Sequence, residues 1–304
     1  MRYSIAFIAA LAASVQAHGV ITEIQGANGV NMPGLSVADG TPRDCATPGC
    51  GSEADTSIIR TREMGGKASA LGRTSNGPVD AAAAVAKFMG SGAGAATAAT
   101  GATAAKGNGA KKTQQRGLLD ALTGGAGGKK AGGAAGGADA AGSKTPKGTS
   151  ESGVASSAGA GASSGLPTCA DDGTITMTFH QVNQDGAGPL TAAIDPKSGG
   201  TDPAAFSDAQ VSQNVPGLGI GGLSGATTTD FPVKVQMPAG MTCQGTVGGV
   251  SNVCVVRMQN SALAGPFGGS AAFTQSKAAR KRAVEYNLRK RHFARGVLGM
   301  PEAE

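Results

Sequence analysis

Three histidines and five cysteines are the residues of this 304-residue chain whose types best suit chemistry. His18 follows Val15-Gln16-Ala17, and small side chains at the first and third positions before a cut are what a signal peptidase accepts. Cleavage there frees the α-amine of His18 beside its imidazole. An N-terminal histidine chelates a metal through both nitrogens, and a second imidazole completes a T-shaped set of three that suits copper. The other two histidines are His180 and His292. His180 falls in TITMTFHQV, where alternation places Ile175, Met177 and Phe179 on one strand face and Thr176, Thr178 and His180 on the other. Taken alone, His180 reads as a hydrogen-bonded surface histidine; an N-terminal His18 beside it makes a ligand pair.

The leader itself has Arg2 near its start and an apolar run from Ile5 to Ala13. That run is far shorter than the roughly 20 residues needed to span a bilayer, so residues 1–17 are expected to be a removable signal peptide rather than an anchor. A secreted, extracellular protein keeps its cysteines as disulfides more readily than as metal thiolates. Cys243 and Cys254 flank TVGGVSNV, which can turn a hairpin, so this bridge is favoured. Cys45 and Cys50 enclose a Pro48-Gly49 turn and either pair with each other or send one partner to Cys169. One thiol is left free or joins another chain.

The net charge of +6 suggests a polyanion partner, but its placement limits that reading. From Lys277 to the end, eight Lys and Arg stand against three Glu, and Arg2 supplies the remaining charge, so residues 18–276 are neutral. An electrostatic footprint exists only in the tail, and no nucleic-acid-binding motif accompanies it. The tail holds Lys281-Arg282 and Lys290-Arg291, where a processing protease can cut after Arg282 and Arg291. Val284 and Leu288 begin an amphipathic face, too short a stripe to argue for a membrane surface. No Gly-rich loop has the Gly-Lys-Ser/Thr ending of a phosphate loop. Asp171 and Asp172 read as turn residues, as does Asp185 in QDGAGP.

These residues must be positioned by elements that the composition delimits. Residues 18–89 form an N-terminal part with a strand, VITEI, and an Ala-rich helix from Val79 to Met89. Residues 90–165 are rich in Gly, Ala, Ser and Thr with few large apolar side chains, and are expected to be a low-complexity, disordered insertion interrupted by one short helix, RGLLDALTG. Residues 166–276 alternate in short runs punctuated by Gly and Pro, the pattern of a β-sandwich core, and 277–304 form the basic tail. The expected fold is mainly β: an immunoglobulin-like β-sandwich with a loop and helix front half, to whose sheets VITEI can add.

The segments MTFHQVNQDGAGPLTAAID, DFPVKVQMPAGMTC and NVCVVRMQNSALAGPFGGSAAFTQ, with DTSIIRTREMG and ALGRTSNGPVDAA in the front half, resemble the Egh-like or Mas-like appressorium-associated secreted virulence factors of filamentous fungi. The resemblance covers nearly the whole chain outside the low-complexity middle. It implies a protein exported from penetration structures and acting at a host surface or a fungal cell-wall component, and it names no biochemical activity. The His18 and His180 pair also looks like the histidine brace of lytic polysaccharide monooxygenases, which begin with His and fold as β-sandwiches. Only those two positions transfer. Phe267 or Phe273 can take an axial aromatic position, or Asp185 an acidic one. A copper-dependent oxidative enzyme acting on a polysaccharide is one alternative, weakened by the absence of Trp and of any tyrosine beyond the leader except Tyr286. A metal-free, non-enzymatic effector or adhesion protein is the other.

Overall fold

The computed structural model describes residues 18–91, 138–218, 223–262 and 264–298. The expected signal peptide, 1–17, and the RGLLDALTG helix fall outside the described residues. The front half contributes β1 (Gly19–Gln25), β2 (Asn31–Pro33), β3 (Ser57–Ile58), β4 (Arg73–Thr74), β5 (Gly77–Pro78) and helix α1 (Ala81–Phe88). Then come β6 (Ala138–Asp139), β7 (Ser143–Lys144) and two single-turn helices, α2 (Gly153–Ser156) and α3 (Gly161–Ser164). The second half adds β8 (Thr174–Gln181), β9 (Thr191–Asp195), β10 (Ser207–Asn214), β11 (Thr229–Gln236), β12 (Gly245–Val247), β13 (Val250–Gln259), β14 (Phe267–Thr274) and helix α4 (Lys277–Leu298).

The strands join in the order β2-β1-β8-β11-β10-β9-β13-β14-β3-β4-β5, antiparallel throughout. β10 is the corner. Its first residues, Ser207 to Ala209, pair with β9, and its later ones, from Gln210, pair with β11 across a register shift between Val211 and Gln213. A strand shared in this way lets one sheet fold over into two facing layers. The expected mainly β, sandwich-like class is what forms.

Alternation explains which faces meet. Ile175, Met177 and Phe179 of β8 and Phe231, Val233 and Val235 of β11 point inward and are 0–3 % exposed. β14 is buried along nearly its whole length, and the side chains of its GGSAA run, residues 268–272, are small where β1 crosses it closely. A Cβ on Gly269 would lie 2.6 Å from the backbone nitrogen of Ile21. Any side chain there forces the layers apart.

The front strand VITEI joins the sheet of the β-domain, as expected, and its partner there is β8. The reading of 138–165 as weakly ordered needs correction. β6 pairs with β10 and β7 with β11, while Asp39 accepts hydrogen bonds from the backbone N–H groups of Val154 and Ala155. Glu151 meets the buried guanidinium of Arg43 at 2.9 Å, and Asp55 meets it from the other side at 2.6 Å. Composition misjudged this stretch because it is held by backbone pairing and distant carboxylates rather than by large apolar side chains of its own. Gly161 also packs on α1, where a Cβ would lie 2.7 Å from the Phe88 ring.

Cys243 and Cys254 are bridged across the β12–β13 hairpin, Cys45 pairs with Cys50, and Cys169 is a buried free thiol. Lys277–Leu298 of the basic tail form a 22-residue helix. Ala279 and Ala283 are its buried contacts, and Asn287 Nδ2 donates to the carbonyl of Gly240 at 2.8 Å. No helix among the described residues is long and apolar enough to cross a membrane.

Candidate metal centre

Pairing of β1 with β8 sets Gly19 opposite Gln181, Val20 opposite His180 and Ile21 opposite Phe179. Val182 N donates to the carbonyl of His18 at 3.0 Å, continuing the ladder by one residue. Directly opposite residues of an antiparallel pair share a face, so His18 and His180 lie on the same face as diagonal neighbours, a relation that spans about 7–8 Å. That distance lets two imidazoles turn toward one ion.

On the far side of β8, Asp230 of β11 stands directly opposite His180. Its Oδ1 lies 2.7 Å from His180 Nδ1. A carboxylate there holds the proton on Nδ1 and leaves a lone pair on Nε2, the arrangement that orients metal-ligating histidines. His180 is fully buried, and its Nε2 has no hydrogen-bond partner among the described residues. Leaving a buried polar atom unsatisfied costs about 1–3 kcal/mol, which a cation at Nε2 would offset.

His18 is also fixed from several directions. Its backbone nitrogen donates to Asn183 Oδ1 at 2.7 Å, and its Nδ1 lies 3.2 Å from Glu53 Oε1. The ring of Phe267 lies against the imidazole, centroids 4.5 Å apart and planes tilted by 39°. Burial, and then the charge of Asp185, pushes the Glu53 carboxyl up to about 7. Asp185 is itself raised by burial and is 8 % exposed.

Of the residues singled out from sequence, His18 lies against the Phe267 ring, strand register puts His180 diagonally across β8 from His18, and Asp185 stands close enough to Glu53 to act on its charge. Phe273 lies six residues farther along β14, opposite Cys254 in the core. His292 is exposed on α4. Glu53, Asn183 and Asp230 carry no motif that marks them. Asp230 opens DFPVKVQ and becomes a partner of His180 only through strand pairing. Among the described residues no group of three or more His, Cys, Asp or Glu side chains is arranged to hold a metal ion. A metal held by these two imidazoles would need a further ligand, and the backbone nitrogen of His18 could serve only as a free amine, since within the chain it is the amide that follows Ala17.

A mainly β, disulfide-bridged domain is the class that the fold defines. The chain belongs to the Egh16-like family, described as Egh16-like virulence factors, whose profile matches residues 16–268. It is 56 % identical to the appressoria-specific virulence factor GAS2 of Pyricularia oryzae over 301 residues, 98 % of this chain and 97 % of that one. The appressoria-specific virulence factor GAS1 of the same fungus is 39 % identical over 129 residues, 41 % of this chain and 50 % of that one. No solved structure matches.

Proposed function

We propose that the protein is a virulence factor exported during fungal penetration, that it begins at His18 once residues 1–17 are removed, and that it acts outside the cell at a host surface or cell wall. The family and the name carried by the GAS2 relative support the virulence role, and the two disulfides fit an oxidising compartment. Its chemistry is one Cu(II) held by the amine and Nδ1 of His18 and by Nε2 of His180. The observation that carries this reading is the buried, unpartnered Nε2 of His180, whose tautomer Asp230 fixes from behind. With the metal bound, Asn183 Oδ1 would orient the amine, Glu53 would have to release Nδ1, and the Phe267 ring would stay against the imidazole of His18. When bound, copper supplies either one-electron redox chemistry or simple metal capture. The dibasic pairs at Arg282 and Arg291 both lie inside α4, so a processing protease needs that helix to unwind.

Electron paramagnetic resonance of protein secreted and sequenced from His18 tests the reading. One tightly bound Cu(II) with three nitrogen ligands is expected. His180→Ala and a one-residue extension before His18 should each change the spectrum and weaken binding, whereas His292→Ala should not. An unchanged spectrum in the extended protein overturns the site. Reductant-driven release of oxidised sugars then separates oxidase from capture protein.

A further inference from the structure

We infer that one face of α4 binds an acidic polysaccharide, a polymer of uronic acid units. The helix carries eight Lys and Arg and one acid, Glu285, on a domain whose residues 18–276 are neutral. Lys277, Arg280, Lys281, Arg282, Arg289, Lys290 and Arg291 are all exposed. The ion pair on the helix among the described residues is Lys281 with Glu285, exposed and 3.9 Å apart. Arg282 acts on the charge of Asp172, but eight cations against one acid on the helix leave a positive excess that attracts a polyanion.

Helical spacing then selects a face. Arg282, Tyr286, Arg289 and Phe293 follow one another at intervals of four, three and four, which places them within about 60° of arc along roughly 16 Å of helix. Tyr286 is 47 % and Phe293 76 % exposed. The two rings are seven residues apart, about 10 Å, a span on the order of two sugar units. Exposed rings offer flat apolar faces for the C–H side of a sugar, and guanidinium forks take carboxylates in paired hydrogen bonds. Alternating aromatic and arginine along one line therefore suits a chain in which each ring carries a carboxylate.

The body of the protein backs this face. A cleft of about 440 Å³ runs between α4 and the sheet, lined by Arg282 and Tyr286 on the helix and by Asp171, Asp172 and Gln236 opposite. Its volume falls within the range of small-ligand sites, roughly 300–1,000 Å³, and Asp171 and Asp172 provide acceptors for sugar hydroxyls. Docking through Ala279, Ala283 and Asn287 fixes the stripe on the domain. A bilayer is the less suitable partner. The other exposed apolar side chains, Val284 and Leu288, are displaced from the two aromatic rings by about 140° or more, so the helix has no single apolar face to sink into lipid.

Calorimetric titration of the full secreted protein with oligogalacturonate about ten units long tests the inference, with the fully methyl-esterified oligomer and phosphatidylserine vesicles as comparisons. Binding that weakens with salt and is lost on esterification is expected. Tyr286→Ala with Phe293→Ala should weaken it about tenfold, and Arg282→Gln with Arg289→Gln should weaken it and flatten its salt dependence. Lys281→Gln with Arg291→Gln, which removes the same charge from the other side, should cost much less. Circular dichroism of each variant confirms that the helix persists, and the single change Phe293→Ala, at the most exposed ring, repeats the test without touching the cleft. Equal binding of the esterified oligomer, equal losses from the two charge variants, no loss at the rings, or preference for vesicles would each overturn the inference.

Discussion

β1 and α4 hold the two concentrations of reactive side chains, and they are built in contrasting ways. β1 has strands on both sides, and Val20, Ile21 and Ile24 are 0–1 % exposed. Its chemistry arises only where other strands arrive: His180 and Asn183 from β8 and the turn after it, Asp230 from β11, Phe267 from β14, Glu53 from a loop. α4 rests on the sheet through two alanines and a few hydrogen bonds, and the groups on its outer face are neighbours along a single helix. A site assembled from distant segments is inseparable from the fold. One written along a surface helix can be altered without disturbing the core.

The sharpest way to break this comparison is to remove each element. Deleting residues 18–25 takes away three fully buried apolar side chains worth roughly 5–9 kcal/mol, comparable with the whole stability of a domain. Loss of cooperative unfolding is expected in calorimetry or urea titration. Ending the chain after Ser276 should leave a cooperative transition and an unchanged copper spectrum, with acidic-oligomer binding gone. If this truncation also unfolds the domain, α4 is as integral as β1.

Arg43→Ala probes whether residues 138–165 belong to the domain. It leaves Asp55, whose side chain is fully buried, without its cation and releases Glu151. A loss of about 3–5 kcal/mol is expected in denaturant unfolding. An effect below about 1 kcal/mol would mean that the segment is only lightly attached.

Asp230→Ala leaves His180 in place and frees its tautomer. Copper affinity should fall about 10–100-fold while the three-nitrogen spectrum survives, since Asp230 acts through His180. A change that abolishes binding and unfolds the protein together would instead make Asp230 a structural partner.

The smallest effect concerns Glu53 in the metal-free protein. Its carboxyl, normally near 4.5, is pushed up to about 7, so the folded state holds the proton more tightly than the unfolded one. The resulting stabilisation is present at low pH and is lost as pH rises through 7. Glu53→Gln should remove that slope between about pH 4.5 and 7 in thermal unfolding, and an unchanged slope would assign it to another group.

Strand periodicity made much of the β-domain legible: the inward set Ile175, Met177 and Phe179 and the hairpin closed by Cys243 and Cys254 were local signals, and VITEI was readable as a strand though not its pairing with β8. The gathering of positive charge in the tail was also legible, but not the continuous helix that carries it. The packing of 138–165 was not, because backbone bonds to distant strand edges leave no trace in composition. The aromatic deficit that weakened a sugar-binding reading was a statement about residue counts, whereas recognition depends on where rings stand. Tyr286 and Phe293 acquire meaning once a continuous helix aligns them with two arginines.

Residue type and order by themselves determined that His18 follows small residues at the positions a signal peptidase reads, that His180 lies on the polar face of a strand, and that positive charge gathers at one end. These depend on covalent neighbours and on the short periods of helix and strand. Tertiary structure alone decided that His180 faces Asp230 on one side and β1 on the other, that Glu53 and Phe267 close around His18, and that α4 is held against the sheet beside a cleft. Register between strands more than 150 residues apart in the chain is set by the burial of whole faces and by the hydrogen bonds of the full sheet, which no local window of sequence contains.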